Sequence, residues 1–194
     1  MPSLAIVPAA GRGERFGSTR DGAASKLVAP VGGEPLLDRT LASLLDGGVD
    51  AVVVVVSPAA VLDVVTRLRD PRVRVVVNPD PSPGMFTSIQ VGWEAAGEAD
   101  PVLILPGDMP FVQPATVTAV VTACLRLGVV VSPRIGGRRG HPVGLPGRLR
   151  PIVLAAPRTS ALGDLLGAQP GERVEIDVAD PGILRDVDVK SDLS

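Results

Sequence analysis

The chain of 194 residues is poor in several residue types that would each point to a particular class of protein. It has a single cysteine, Cys124, so it cannot form an internal disulfide or a multi-cysteine metal site, and this fits a reducing compartment. Tyrosine is absent, and aromatic residues make up 2% of the chain. We expect Trp93, the one tryptophan, to pack in the core rather than to stack on a ligand.

Positive charge and long hydrophobic runs are also scarce. The formal net charge is -2, so a nucleic acid or an anionic membrane would need a local basic patch, and none extends beyond residues 137–140 (GRRG). The apolar stretch at 51–62 is broken by Ser57 and Pro58 and is shorter than the ~20 residues of a membrane-spanning helix. The apolar run at 4–7 is too short for a signal peptide. We therefore expect a cytoplasmic protein without a nucleic-acid or membrane partner.

Hydrophobic residues make up 45% of the chain, and their spacing predicts alternating strands and helices. Short runs rich in valine, isoleucine and leucine predict strands at 4–7, 52–56, 73–77 and 102–105. Helical spacing predicts helices at 36–45, 58–68, 85–96 and 114–127. This alternation indicates an α/β protein with a three-layer, Rossmann-like fold and a mainly parallel sheet.

Beyond residue 127 the pattern is looser. It predicts shorter strands at 129–131, 141–143, 174–176 and 183–187, and a helix at 160–166. We expect this half to add a mixed or antiparallel edge to the sheet. No linker or repeat stands out, so residues 1–194 are predicted to form a single domain.

A glycine-rich segment, PAAGRGERFG at 8–17, follows the first predicted strand. Glycine lets backbone N–H groups approach an anion, which favours phosphate binding, although a tight turn that merely needs glycine is an alternative. A dinucleotide-binding fingerprint would place a third glycine where Phe16 stands and an acidic residue at the end of the second strand, where Ser57 follows. A phosphate-binding NTPase loop needs a glycine before its lysine, but Ser25 precedes Lys26. Both alternatives are disfavoured.

Charged residues near this loop suggest a site for a polyphosphate and a metal ion. Arg15 and Lys26 follow the loop and could neutralise phosphates, and Asp108 comes directly after the fourth predicted strand. The carboxyl ends of parallel strands open at the same edge of a sheet, so Asp108 can reach the same ligand. A carboxylate beside phosphates is a typical Mg²⁺ ligand. The alternative is a turn aspartate that accepts hydrogen bonds from its own backbone.

Five motifs in this order resemble the MobA-like nucleotidyltransferases, and most of all the molybdenum cofactor cytidylyltransferases. They are PAAGRGERFG at 8–17 followed by Lys26, GMFTSI at 84–89, PGDMP at 106–110, GHPV at 140–143 and DVDVKSDL at 186–193. The resemblance implies a nucleotidyltransferase fold over the whole chain. It also implies transfer of a nucleotidyl group from an NTP to the phosphate of a molybdopterin-type acceptor, with Mg²⁺ and release of pyrophosphate. A molybdoenzyme or its chaperone is a further implied partner.

The resemblance also assigns roles to residues. The implied nucleotide-binding residues are Pro8, Ala9, Ala10, Gly11, Gly13, Arg15, Lys26, Gly84 and Ser88. Arg15, Lys26 and Asp108 are the implied catalytic residues. Asp108 and Asp188 are the implied metal ligands, and His141 and Arg139 are the implied acceptor-binding residues.

The donor is expected to be CTP. Guanylyl-transferring relatives begin their loop with Ala-Gly-Gly, and this chain has Ala10 in place of the first of those glycines. If Ala10 faces the base, its methyl group leaves less room for a purine, which is worth about 1–3 kcal/mol of selectivity.

Two other functions remain open. One is nucleotidyl transfer to a sugar or polyol phosphate, as in the methylerythritol phosphate cytidylyltransferases, which usually carry Asp-Ala-Ala-Arg-Pro where this chain has GDMP at 107–110. The other is a non-catalytic chaperone that binds the molybdenum cofactor. The chain departs from the family pattern in the longer spacing at 18–25 and in Val189, which stands where threonine is usual.

Overall fold

The computed structural model describes residues 1–11, 26–168, 171 and 173–188. The strands of these residues are β1 (Leu4–Ala9), β2 (Pro30–Val31), β3 (Glu34–Pro35), β4 (Ala51–Val56), β5 (Val73–Val77), β6 (Val102–Ile104), β7 (Val130–Ile135), β8 (Arg138–Arg139), β9 (Val143–Leu145) and β10 (Arg173–Asp177). The α-helices are α1 (Leu36–Asp46), α2 (Val61–Val65), α3 (Met85–Ala96), α4 (Pro114–Leu127), α5 (Arg150–Ala155) and α6 (Leu162–Gly167). Short 3-10 helices lie at Lys26–Val28, Gly147–Leu149 and Pro181–Leu184.

The main sheet has the strand order β5–β4–β1–β6–β9–β7–β10, and β8 pairs with β7. The first half is parallel: β1 lies between β4 and β6, and β5 pairs with β4 on its other side. In the second half, β9 is antiparallel to both β6 and β7, while β10 is parallel to β7. The predicted α/β fold with a mainly parallel but mixed sheet is confirmed, and its antiparallel strand β9 lies inside the sheet.

Helices cover both faces of the sheet and complete the three layers. Helices α1, α2 and α4 pack on one face, in a core that includes Leu41, Val64 and Val120. Helices α3, α5 and α6 pack on the other face, where Trp93 is completely buried, as expected. Strands β1 and β4 are apolar on both faces because each face meets helices. Among the described residues, no helix has the length and apolar character needed to cross a membrane.

Sequence patterns located α3 and α4 to the residue but were less accurate elsewhere. The helix predicted at 58–68 is limited to α2, because turns occupy the residues on either side of it. The strand predicted at 183–187 is wrong. Residues Pro181–Leu184 form a 3-10 helix instead, and the side chain of Asp180 caps it by accepting a hydrogen bond from the backbone of Gly182 at 2.9 Å. Helix α5 and the short strand β8 were not predicted.

Asp180 anchors the C-terminal segment, defined here as residues 180–188, to the start of α4. The carboxylate is 2% exposed. Besides the bond from Gly182, it accepts hydrogen bonds from the backbone N–H of Gln113 at 2.9 Å and from the hydroxyl of Thr116 at 2.8 Å. The first N–H groups of a helix lack partners within the helix, so the carboxylate stabilises α4 while it fixes the segment.

Replacing Asp180 by alanine is expected to lower the free energy of unfolding by about 3 kcal/mol, because two buried donors and one partly buried donor lose a charged acceptor. Equilibrium unfolding in urea measures this loss. Asp177→Ala is the control: it removes a surface carboxylate that pairs with Arg134, and we expect little change. Equal losses of stability in the two variants would contradict the anchoring role of Asp180.

Candidate active site

The ends of β1 and β6 lie side by side, as the positions of the two loops predict. The pairing of these strands continues past β6, since the N–H of Leu105 donates to Ile6 at 3.1 Å and that of Gly107 donates to Pro8 at 2.9 Å. Gly107 permits this close approach: a Cβ there would lie 3.0 Å from the Cβ of Ala9. The loop that carries Asp108 is therefore held directly against the start of the glycine-rich segment.

The described part of that segment is mostly buried. Pro8, Ala9 and Ala10 are buried, Ala10 with 4% of its surface exposed, and Gly11 is exposed. Gly13 and Arg15 lie outside the described residues, so their roles stay predictions.

Lys26, Asp108 and Asp188 come together at this edge of the sheet. The Nζ of Lys26 donates to Asp108 Oδ2 at 2.8 Å and to Asp188 Oδ1 at 3.2 Å. The side chain of Lys26 is 13% exposed, and those of Asp108 and Asp188 are 29% and 46% exposed. Despite the eight-residue spacing at 18–25, Lys26 reaches the predicted catalytic carboxylate. We call these three residues the charged cluster.

The charged cluster keeps Lys26 protonated. Burial lowers the pKa of its ammonium group, but the hydrogen bonds and negative charges of Asp108 and Asp188 outweigh burial and raise the pKa above its ordinary value of 10.5. Lys26 therefore carries a full positive charge at neutral pH.

The two carboxylates suit a divalent cation. Both point at one position, which the ammonium group of Lys26 takes, so the position already favours a positive charge. Mg²⁺ is commonly held by one or two carboxylates, with phosphate oxygens and waters as its other ligands. Among the described residues, no group of three or more His, Cys, Asp or Glu side chains could hold a metal ion by itself. Beyond the two carboxylates that the described residues supply, phosphate oxygens and water could complete the coordination of a metal at this position.

The C-terminal segment brings Asp188 into the cluster. The N–H of Val187, which is completely buried, donates to the backbone oxygen of Asp108 at 2.9 Å. Nearer the start of the segment, the backbone oxygen of Ile183 accepts a hydrogen bond from the backbone N–H of His141 at 3.0 Å. A Cβ at position 140 would overlap that oxygen, so the contact requires glycine at this position. The segment thereby links the Asp108 loop to the GHPV motif.

His141 is half-buried, and its imidazole is neutral at neutral pH. Burial lowers its pKa below the ordinary value of 6.5, although the carboxylates of Asp108 and Asp186 act in the opposite direction. A neutral imidazole can still donate and accept one hydrogen bond each. His141 therefore offers hydrogen bonds to a ligand, and no charge.

The predicted base-contacting residues lie at the start of α3. Gly84 precedes the helix with a φ of 130°, a conformation that favours glycine. Ser88 is 2% exposed, and its hydroxyl accepts a hydrogen bond from the side-chain amide of Asn78 at 3.0 Å. Asn78 also donates to Thr87 at 2.8 Å. Asn78 was not predicted as a site residue from the sequence, although its position directly after a strand was the available signal. Contacts of Gly84 and Ser88 with a nucleotide stay predictions.

A cavity of about 510 Å³ is lined in part by His141, the residue whose pKa the charge of Asp108 affects. It is enclosed by α3, α6 and the face of the sheet formed by β6, β9, β7 and β10. His141 and Arg139, the two predicted acceptor-binding residues, both line it. Most of the other lining side chains are apolar. The cavity was not predicted from the sequence, and we call it the acceptor cavity after the role predicted for His141 and Arg139.

Arg139 forms an ion pair at the edge of the acceptor cavity. Its Nε lies 3.1 Å from Oε1 of Glu175, which also lines the acceptor cavity. The other oxygen of Glu175 accepts a hydrogen bond from Arg134 at 3.2 Å. Arg139 is 59% exposed, so it can shift towards an anionic ligand at the mouth of the cavity.

Two curated relatives match nearly the whole chain. Nicotine blue oxidoreductase from Paenarthrobacter nicotinovorans is 30% identical over 191 residues, which cover 94% of this chain and 90% of that protein. The 2-C-methyl-D-erythritol 4-phosphate cytidylyltransferase of Frankia casuarinae is 29% identical over 184 residues, which cover 94% of this chain. This chain spans 61% of the length of the Frankia protein.

Solved structures share the fold. A nucleotidyl transferase from Methanothermobacter thermautotroptrophicus has a TM-score of 0.76 at 25% identity, covering 98% of this chain and 94% of that one. Rv0371c from Mycobacterium tuberculosis H37Rv has a TM-score of 0.78 at 23% identity, with the same coverage. Rv0371c has also been solved in complex with manganese, and that structure has a TM-score of 0.75 at 21% identity, covering 99% of this chain and 96% of that one.

The family model of the MobA-like NTP transferase domain matches residues 5–174. This span begins in β1, contains the Asp108 loop and the GHPV motif, and ends in β10. The family expected from the five motifs is thereby confirmed: the chain belongs to the MobA-like NTP transferase domain family.

Proposed function

We propose that the protein is a nucleotidyltransferase that moves a cytidylyl group from CTP to the phosphate of a molybdopterin-type acceptor and releases pyrophosphate. The observation that carries the proposal is the charged cluster, in which one ammonium group and two carboxylates meet beside the glycine-rich segment. Transfer of a nucleotidyl group from a triphosphate needs positive charge and a metal-binding carboxylate close together. The family match and the nucleotidyl transferase of the same fold support the same reaction class.

The chain's own groups act by position and charge. The start of the glycine-rich segment lies where its backbone can face the phosphates of a nucleotide, and Lys26 supplies positive charge to them. An oxygen of the acceptor phosphate attacks the α-phosphorus in line, and pyrophosphate leaves. The acceptor phosphate is already ionised near neutral pH, so the reaction needs no general base. This agrees with a neutral His141 that only orients the acceptor.

Asp108 and Asp188 would hold a divalent metal, with Mg²⁺ as the expected ion. When bound, the metal would stabilise negative charge on the phosphate oxygens. The Mycobacterium tuberculosis relative solved with manganese supports a divalent metal in this fold.

CTP is the proposed donor for two reasons. Ala10 adds a methyl group beside the place proposed for the base, which leaves less room for a purine. In addition, the Frankia relative is by name a cytidylyltransferase. That relative acts on 2-C-methyl-D-erythritol 4-phosphate, so a polyol phosphate is the rival acceptor.

An oxidoreductase is the second candidate function. Nicotine blue oxidoreductase, matched over 90% of its length, favours it, and the mainly apolar acceptor cavity suits an aromatic substrate. The charged cluster favours nucleotidyl transfer, because hydride transfer does not require two carboxylates around a lysine. Oxidation of a reduced nicotinamide cofactor by the purified protein, with no pyrophosphate released from any NTP, would favour the second candidate.

Asp108→Ala is expected to lower the rate of pyrophosphate release by at least about 100-fold, because the metal loses a ligand and Lys26 loses a hydrogen-bond partner that positions it. The assay contains CTP, Mg²⁺ and molybdopterin. Asp70→Ala, which removes an exposed carboxylate paired with Arg72, is the control and should retain the rate. An unchanged rate in the Asp108 variant would contradict the catalytic role of Asp108. No pyrophosphate release by the wild type, with molybdopterin binding unaffected by Asp108→Ala, would favour a cofactor-binding chaperone rather than an enzyme.

CTP is expected to give faster pyrophosphate release than GTP or ATP when each is supplied with Mg²⁺ and molybdopterin. Ala10→Gly should lower the ratio of the rate with CTP to the rate with GTP or ATP by roughly tenfold or more, because removal of the methyl group makes room for a purine. A wild-type preference for GTP would overturn the choice of donor.

Lys26→Met is expected to tighten Mn²⁺ binding several-fold in the absence of nucleotide. The ammonium group competes for the position between the two carboxylates, and its removal leaves their negative charges uncompensated. Calorimetric titration of the purified protein with Mn²⁺ measures the change. Arg72→Met, which removes a cation from an exposed carboxylate, is the control. An unchanged or weaker affinity in the Lys26 variant would show that the metal binds elsewhere.

A further inference from the structure

The floor of the acceptor cavity changes from apolar to polar across the sheet. Ile104 of β6 pairs in register with Val143 of β9, and both line the cavity. On β7 the corresponding side chains are Val130 and Ser132. Ser132 is in register with Glu175 of β10, which also lines the cavity. All these residues face the side of the sheet that packs against α3 and α6, because side chains alternate along each strand. A ligand on this floor would meet aliphatic side chains at one end and, at the other, the carboxylate of Glu175 with the guanidinium groups of Arg139 and Arg173 beside it.

The rest of the cavity is mainly apolar. The first turns of α3 contribute Met85, Phe86 and Ile89, and α6 contributes Leu162 and Leu166. A sugar or polyol would place several hydroxyl groups against these side chains without hydrogen-bond partners, which is costly. A flat ring system loses little on such surfaces and gains from their burial.

Glu175 is held in place at the polar end. Arg139 lies 3.1 Å from one carboxylate oxygen and Arg134 lies 3.2 Å from the other, so the carboxylate is oriented by a cation on each side. A carboxylate offers about four acceptor positions on its two oxygens, so these contacts leave room for further donors. The hydroxyl group of Ser132 is the neighbouring polar group of the floor.

We propose that Glu175 selects the acceptor by accepting hydrogen bonds from a planar nitrogen heterocycle that presents two adjacent N–H donors. The ring lies between the apolar floor and helices α3 and α6, and its donor edge meets Glu175, with Ser132 beside it. The phosphate of the acceptor then extends past His141 towards the charged cluster. This inference rests on the proposed function in one respect, because it takes the cavity as the acceptor's binding place.

Free pterin and lumazine are the probes that test this proposal. Both are bicyclic rings of the same shape, but lumazine carries a carbonyl acceptor where pterin carries the amino donor. We expect the wild-type protein to bind pterin at least about tenfold more tightly than lumazine. The amide of Glu175→Gln has one acceptor oxygen and one donor nitrogen, so it cannot pair with two adjacent N–H donors. The variant should therefore bind pterin and lumazine with nearly equal affinity. Fluorescence titration of each ring, at a pH where both are neutral, measures the two affinities.

Asp177→Asn is the matched control, since Asp177 lies two residues along β10, pairs with Arg134 and does not line the cavity. It should keep the preference for pterin, and thermal unfolding checks that both variants are folded. Equal affinities for the two rings in the wild type, no binding of either ring, or an unchanged preference in Glu175→Gln would each overturn the proposal.

Ring binding requires neither CTP nor a metal, so its outcome is separate from that of the proposed function. Selective pterin binding without nucleotidyl transfer would reject the proposed function alone. Nucleotidyl transfer to molybdopterin by the wild type, together with equal affinities of the wild type for pterin and lumazine, would reject the role of Glu175 alone.

Discussion

The position of the Lys26 ammonium group between Asp108 and Asp188 joins parts of the chain that are far apart in sequence. Lys26 is 82 residues from Asp108 and 162 residues from Asp188. Carboxylates brought this close repel each other unless a cation lies between them. The site therefore depends on a bound positive charge at this point, whether it comes from Lys26 or from a metal ion. The arrangement of the strands and of the C-terminal segment makes this convergence possible.

Two different features of the fold bring Asp108 and Asp188 to the charged cluster. Parallel pairing of β1 with β6 brings the Asp108 loop to the glycine-rich segment, which is a general consequence of the α/β architecture. Asp188 belongs to no strand, and its position depends on buried contacts along residues 180–188. The carboxylate of Asp180 fixes one end of this segment to α4, and the Val187 N–H fixes the other end to Asp108. A stability defect at Asp180 would thus also displace a proposed metal ligand.

Much of the fold and part of the site could be predicted from the sequence. Helices α3 and α4 were located to the residue because Gly84 and Gly97 flank the first, and Pro114 and Gly128 mark the second. Asp108 and Lys26 were identifiable because each follows a recognisable motif. The acceptor cavity was not, since its floor comes from four strands whose order differs from their sequence order. Glu175 looks like an ordinary exposed residue of a strand, and only the register with Ser132 places it in the cavity.

His141 connects the two halves of the proposed site. It lines the acceptor cavity, and the carboxylates of Asp108 and Asp186 affect its pKa. Burial keeps the imidazole neutral, so the boundary between the apolar cavity and the charged cluster carries no charge of its own. The positive charge that would bind an acceptor phosphate lies beyond this boundary, at Lys26 and at the proposed metal. In the proposed reaction the phosphate would therefore be drawn towards the nucleotide, while the apolar cavity and Glu175 would retain the ring, and together they would orient the acceptor for in-line attack.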